Sequence, residues 1–135
     1  MILPVVVVLN EADLGKAIKQ KKATIEIEGE LKDRVCSMKA LEKESWNACM
    51  TQISMAVSVL QIMTQVDGID TPVSVLTGTP ILEKIISFLG NTNAFSAIMI
   101  ARAGGGVGIL NQLRKYQIAA LTEEKLILNR HSEKD

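Results

Sequence analysis

The chain has one histidine, two cysteines and 3% aromatic residues, and its 15 basic and 15 acidic residues leave no net charge. One histidine, His131, with Cys36 and Cys49 far from it, cannot assemble a zinc site, so no metal and no cofactor are expected. Without a basic excess there is no electrostatic footprint for a DNA or RNA polymer; a small anion needs only a local cluster of cations. No P-loop, nucleophile elbow or dinucleotide fingerprint is present. Gly104-Gly105-Gly106-Val107-Gly108 superficially has the look of a phosphate loop, but it lacks the Lys-Ser/Thr that completes one and follows no strand. Close helix packing is the better reading of it. Glu26 and Glu28 share one strand face, and a solvated face explains them better than a catalytic pair. The chain therefore reads as non-enzymatic. Met1-Ile2-Leu3-Pro4 lacks a basic n-region and a small-residue cleavage site, so it does not read as a signal peptide.

What is abundant is aliphatic. Hydrophobic residues make up 47% and mean hydropathy is +0.22. Charge is segregated: 16 charged residues fall in 1–45, 5 in 46–111 and 9 in 112–135. The centre holds the most informative stretch. Asn47, Thr51, Ser54, Ser58, Gln61 and Gln65 recur at alternating steps of 4 and 3. On a helix that spacing draws one continuous polar stripe. The remaining surface is Trp46, Met50, Ile53, Met55, Val57, Val59, Leu60, Ile62, Met63 and Val66, and nothing from Ser45 to Val66 is charged. A water-facing helix normally carries Lys and Glu opposite its apolar stripe. These 22 residues would span roughly 33 Å, about a bilayer's hydrocarbon thickness. A membrane helix that associates through its polar face is the first expectation. A soluble all-α oligomer, in which the stripe is the water-facing side and lines a wet lumen, is the second.

Around this centre the pattern alternates. Pro4–Leu9, with four valines in a row, reads as a buried strand. Asn10 caps a helix over Glu11–Gln20, and Ala23–Gly29 alternates as a half-buried strand. A long helix is expected from Glu30 through Val66, carrying Cys36 and Cys49 about 20 Å apart, too far for a disulfide. Reduced thiols in a cytosolic compartment follow. Residues 69–93 read as irregular apart from a short helix at Ile81–Leu89. A second long helix is expected over Ala94–Arg114, with Ala97, Ala101 and Gly105 as a small-residue row and Gly104 with Gly108 as a GxxxG pair. Gln117–Leu121 and Lys125–Arg130 complete a β-hairpin. The fold class is α+β: a small sheet from an N-terminal β-α-β unit and a C-terminal β-hairpin, with a long helical hairpin inserted. The expected division is a small cytosolic α/β domain from residues 1–45 and 112–135, and a membrane element, an apolar helical hairpin, from 46–111.

Lys39 and Lys43 before the first apolar helix, and Arg114 and Lys115 after the second, place both termini in the cytoplasm by the positive-inside bias. Arg102, central in the second span, requires a partner or a wet face. The candidate oligomer interface is the stripe Asn47, Thr51, Ser54, Ser58, Gln61 and Gln65 together with Ala97, Ala101, Gly104, Gly105 and Gly108. Lys16, Lys19, Arg114, Lys115 and Arg130 are the candidate anion-binding cations, and Tyr116 could stack on a base.

Three stretches, Leu14-Gly15-Lys16-Ala17-Ile18, Ile25-Glu26-Ile27-Glu28-Gly29-Glu30-Leu31 and Gly105 through Tyr116, fall into an order of elements that resembles the bacterial two-transmembrane-plus-β effector family. Arg102 and the break at Gly90–Asn93 depart from that family's uniformly apolar spans. The resemblance implies an antiviral-defence effector at the inner membrane. Its β domain would sense a cyclic nucleotide, and its hairpin would oligomerise and damage the membrane. The partners implied are a second copy, the membrane and a cyclic nucleotide. The alternative is a soluble, cytoplasmic homo-oligomeric interaction module with its long helices buried between subunits.

Overall fold

Period-two burial builds the sheet. Strand β1 (Val5–Val8) turns Val8 inward and leaves Val5 and Val7 exposed, and β2 (Thr24–Glu28) buries Ile25 and Ile27 completely. The computed structural model describes residues 5–68 and 71–130. Between these strands runs α1 (Glu11–Lys19), opened as expected by Asn10, whose side chain accepts the Asp13 backbone N–H at 2.8 Å. β1 and β2 are parallel, with Val6 opposite Ile25 and Val8 opposite Ile27. β3 (Gln117–Leu121) and β4 (Lys125–Asn129) form an antiparallel hairpin whose second strand pairs antiparallel with β2. The sheet order is β1-β2-β4-β3, so chain ends distant in sequence share one four-stranded sheet. The fold is α+β, as the sequence pattern implies.

The helices depart from expectation at two places. The long helix over Glu30–Val66 is two helices, α2 (Glu30–Ala40) and α3 (Lys43–Asp67). Leu41 and Glu42 between them are extended, with ψ of 135° and 159°. Cys36 and Cys49 therefore sit on different helices, both as free thiols. The second expected span is also broken. α5 (Asn91–Gly104) and α6 (Gly108–Lys115) meet at 105°. Gly105 and Gly106 adopt φ of 93° and 153°. Those backbone angles suit glycine and end a right-handed helix. Gly104 and Gly108 thus lie on either side of a turn and make no GxxxG face. The intervening segment holds a 3-10 turn (Val73–Leu76) and α4 (Pro80–Leu89), which falls within one residue of its expected start.

One core joins these parts. Leu14, Ile18, Ile25, Ile27, Val35, Met38, Trp46, Ile53, Leu60, Ile85, Ile98, Leu110 and Leu128 are all buried in it. α1 packs on β1, α2 on β2, and α5 on both α1 and α2, while α3 lies on α4 and α5. α5, the expected second arm of a projecting hairpin, is instead the central helix. Ala94, Ala97, Ile98, Ile100 and Ala101 are fully buried. The close approach is to α1. A Cβ added to Gly15 would lie 2.6 Å from the Ile100 carbonyl oxygen and 2.9 Å from the Gly104 nitrogen.

Candidate interaction surface

α3 divides lengthwise into a buried and an exposed half. Trp46, Cys49, Met50, Ile53, Ala56, Val57 and Leu60 face the core. All six residues of the polar stripe, Asn47, Thr51, Ser54, Ser58, Gln61 and Gln65, are exposed. Beside the stripe, Met55, Ile62 and Val66 are 46%, 61% and 80% exposed. The outer half of this helix therefore offers water a mixed polar and aliphatic surface without charge between Glu44 and Asp67. Such a face is unusual for a helix that meets only solvent. By length and composition α3 is the one described helix able to cross a membrane, with 33% of its most apolar window buried; the α5–α6 pair meets the same test only as a sharply bent unit.

The small residues expected on the interface divide in the structure. Ala97, Ala101 and Gly104 are buried inside the single chain, where a Cβ on Gly104 would run into Ile109 of α6, and so present nothing to another copy. Gly105 and Gly108 are exposed at the turn. Close packing by small residues is real here but internal.

The candidate anion ligands also divide. At the junction of α2, α3 and α6, two cations clasp helix ends reciprocally. Lys39 on α2 donates to the carbonyls of Leu113, Arg114 and Tyr116 at the end of α6, at 3.3, 3.1 and 2.5 Å. Arg114 on α6 donates to the carbonyls of Met38 and Leu41 at the end of α2, each at 2.8 Å. Helix C-termini leave four carbonyls without partners, and cations there also meet the negative end of the helix dipole. The Arg114 guanidinium also sits 4.6 Å from the Trp46 ring centre, and Trp46 Nε1 donates to Asn111 Oδ1 at 2.8 Å. Burial lowers the affinity of Lys39 for its proton, with the nearby Arg114 adding to the effect, and burial lowers Arg114 likewise.

Arg114 therefore serves the fold. Tyr116 does too: it is 3% exposed and donates its hydroxyl to the Lys22 carbonyl at 2.6 Å. Burial raises its pKa, with Arg130 opposing. A ring so enclosed cannot stack on a base, which corrects the expectation for it. Arg130 is half-buried at the end of β4, its backbone N–H bonded to the Ala23 carbonyl. Lys16 and Lys19 are exposed on α1. Lys16 lines a groove with Ala12, Met99, Arg102 and Ala103, whereas Lys115 and Arg114 line a different cleft with Lys43, Trp46, Asn47 and Asn111. The six residues do not converge on one ligand site. Arg102 finds its partner at the C-terminal side of α3, donating to the Thr71 carbonyl at 2.5 Å.

Sequence reasoning missed one buried polar cluster. Glu11, in the first turn of α1 and 8% exposed, accepts from Ser96 Oγ at 2.5 Å and from Arg34 at 2.9 Å. Burial alone would raise its pKa, but the hydrogen bonds from Ser96, the backbone and Arg34 outweigh burial and hold it below the ordinary value. Arg34 also reaches Glu30 at 3.2 Å, so the group ties α1, α2 and α5 together. No local motif could have shown this, because 85 residues separate Glu11 from Ser96. On the open sheet face Glu26 pairs with Lys125 at 3.6 Å, and its hydrogen bond with Glu28 raises the latter's pKa. His131 lies outside the described residues.

No family model matches this chain, and the searches of curated proteins and of solved structures return no match. The chain is assigned to no family on these comparisons.

Proposed function

We propose that this protein is a non-enzymatic, self-assembling interaction module whose contact surface is the exposed half of α3. The observation that carries this reading is the exposed half of that helix within the charge-free stretch Ser45–Val66, with Met55, Ile62 and Val66 open to water. Exposed aliphatic side chains gain about 25 cal/mol for each Å² of apolar surface they bury. The adjoining Ser, Thr, Asn and Gln need hydrogen-bond partners once water is displaced. A second copy supplies both kinds of surface; lipid supplies only the first. With α3 packed as it is, the stripe favours copies meeting in water over copies meeting in a bilayer.

This reading takes the soluble interaction module over the membrane effector. Multi-angle light scattering on the purified full chain tests it. The parent should be oligomeric, and a Ser54→Glu/Ser58→Glu pair, both at exposed positions, should shift it toward monomer with unchanged circular dichroism. A parent that stays monomeric at every attainable concentration refutes the proposal. Retention of untagged protein in carbonate-washed membranes would refute it in favour of the membrane effector.

A further inference from the structure

α3 carries a second stripe, one residue out of phase with the polar one. Ala48, Gln52, Met55, Val59, Ile62 and Val66 recur at steps of 4, 3, 4, 3 and 4. That is the 3.5-residue period of a coiled-coil seam, and five of its six residues are apolar. Four of the six are exposed; Gln52 and Val59 are half-buried at its edge. Val59 packs in part against the core, and Ala48, Met55, Ile62 and Val66 are left open to water.

Charge at the two ends of α3 differs. The N-terminal end carries Lys43 in a cleft it shares with Arg114 and Lys115, three cations against Glu42 and Glu44, both of which lie at the positive end of their own helix. The C-terminal end closes on Asp67, with no basic residue in the last turn. A carboxylate there adds to the negative end of the helix dipole instead of offsetting it. A parallel pair would set Asp67 against Asp67 and Lys43 against Lys43. An antiparallel pair sets the cationic end of each copy beside the anionic end of the other.

We infer that two copies of this chain associate through α3 seams packed antiparallel about a two-fold axis near the centre of the helix. This rests on the self-assembly reading and specifies its geometry. The alignment that gives every seam residue a partner matches Ala48 with Val66, Gln52 with Ile62, and Met55 with Val59 of the second copy. The polar stripes then flank the seam, where Ser54, Ser58 and Gln61 meet their counterparts or water. A two-fold contact of this kind is self-complementary and closes at two copies.

Site-directed crosslinking of the full chain tests the geometry, in a Cys36→Ser background that leaves only the buried Cys49. Met55→Cys and Val59→Cys proteins, when mixed, should form a disulfide under mild oxidation, whereas Met55→Cys alone should not, because its two copies lie four residues, roughly 6 Å at about 1.5 Å each, apart along the helices. Ala48→Cys should likewise fail to crosslink alone but should pair with Val66→Cys when the two proteins are mixed. Because a large seam change risks the fold, charge reversal gives an independent reading. Asp67→Lys and Lys43→Glu should each weaken dimerisation about two- to fivefold, and the two together should restore it. A self-crosslinked Ala48→Cys dimer would overturn the antiparallel arrangement and leave self-assembly standing. A monomeric parent would overturn both.

Discussion

Replacing Gly15 by alanine should separate the two helices at the heart of the fold. An alanine inside a helix is intrinsically better than glycine by about 1 kcal/mol. At this position the added Cβ would meet the Ile100 carbonyl oxygen at 2.6 Å, the Ala103 Cβ at 2.8 Å and the Gly104 nitrogen at 2.9 Å. Two of the three are backbone atoms, which cannot swing aside, so α1 and α5 must move apart along their whole contact. Overpacking of this kind costs typically about 1–3 kcal/mol, and the fully buried Ile100 lies at the contact being opened. Because backbone atoms block the site, the cost lies in the upper part of that range, about 2–3 kcal/mol, and the net expectation after the helix-propensity gain is a loss of about 1–2 kcal/mol, or roughly 4–8 °C in Tm for a domain this size. Gly108→Ala is the control: it lies in a helical segment, is exposed and has no atom within 4 Å of its added Cβ. It should be neutral or stabilising by up to about 1 kcal/mol. Urea unfolding of both variants by circular dichroism measures the difference. A Gly15→Ala protein as stable as the parent would refute the close helix contact, and with it the central place given to α5.

Glu11 should make stability fall in acid. Its folded pKa lies below the ordinary 4.5, so its contribution is complete above that value and is lost as pH falls through the folded pKa; Glu11→Gln should lose stability at neutral pH and show a flatter acid limb in urea titrations from neutral to low pH. Arg114→Ala should cost about 2–4 kcal/mol, because it leaves the Met38 and Leu41 carbonyls without their charged donor and uncovers Trp46, whereas Lys115→Ala, at an exposed neighbour, should stay within about 0.5 kcal/mol in the same unfolding assay.

The strands and the first helix were legible in the sequence because their signals are local. The β-branched run Val5–Val8 announces a strand, though Val5 and Val7 are exposed where the sequence implies a buried one, Ile25 and Ile27 announce theirs by alternation, and Asn10 announces a helix start by a hydrogen bond three residues away. The polar stripe of α3 was equally legible, since a helical period depends on spacing alone. Its six residues are exposed together because they share one face. What the chain's pattern did not decide was where continuous helical signal would stop. Nothing between Glu30 and Val66 is a strong helix breaker; the break at Leu41–Glu42 belongs with Arg114, which comes from 73 residues away to bond the Met38 and Leu41 carbonyls. The three glycines at 104–106 read as a packing surface within one long helix, and the structure breaks that helix at two of them. Gly104 and its neighbours admit Gly15, and Gly105 and Gly106 supply the positive φ that turns α6 away. Arg114 and Tyr116 looked available to a ligand because charge and aromaticity are visible in a sequence, whereas the carbonyls that occupy them are not. Composition and spacing determined the elements and the uncharged face; tertiary contacts alone decided which polar groups the fold had already used.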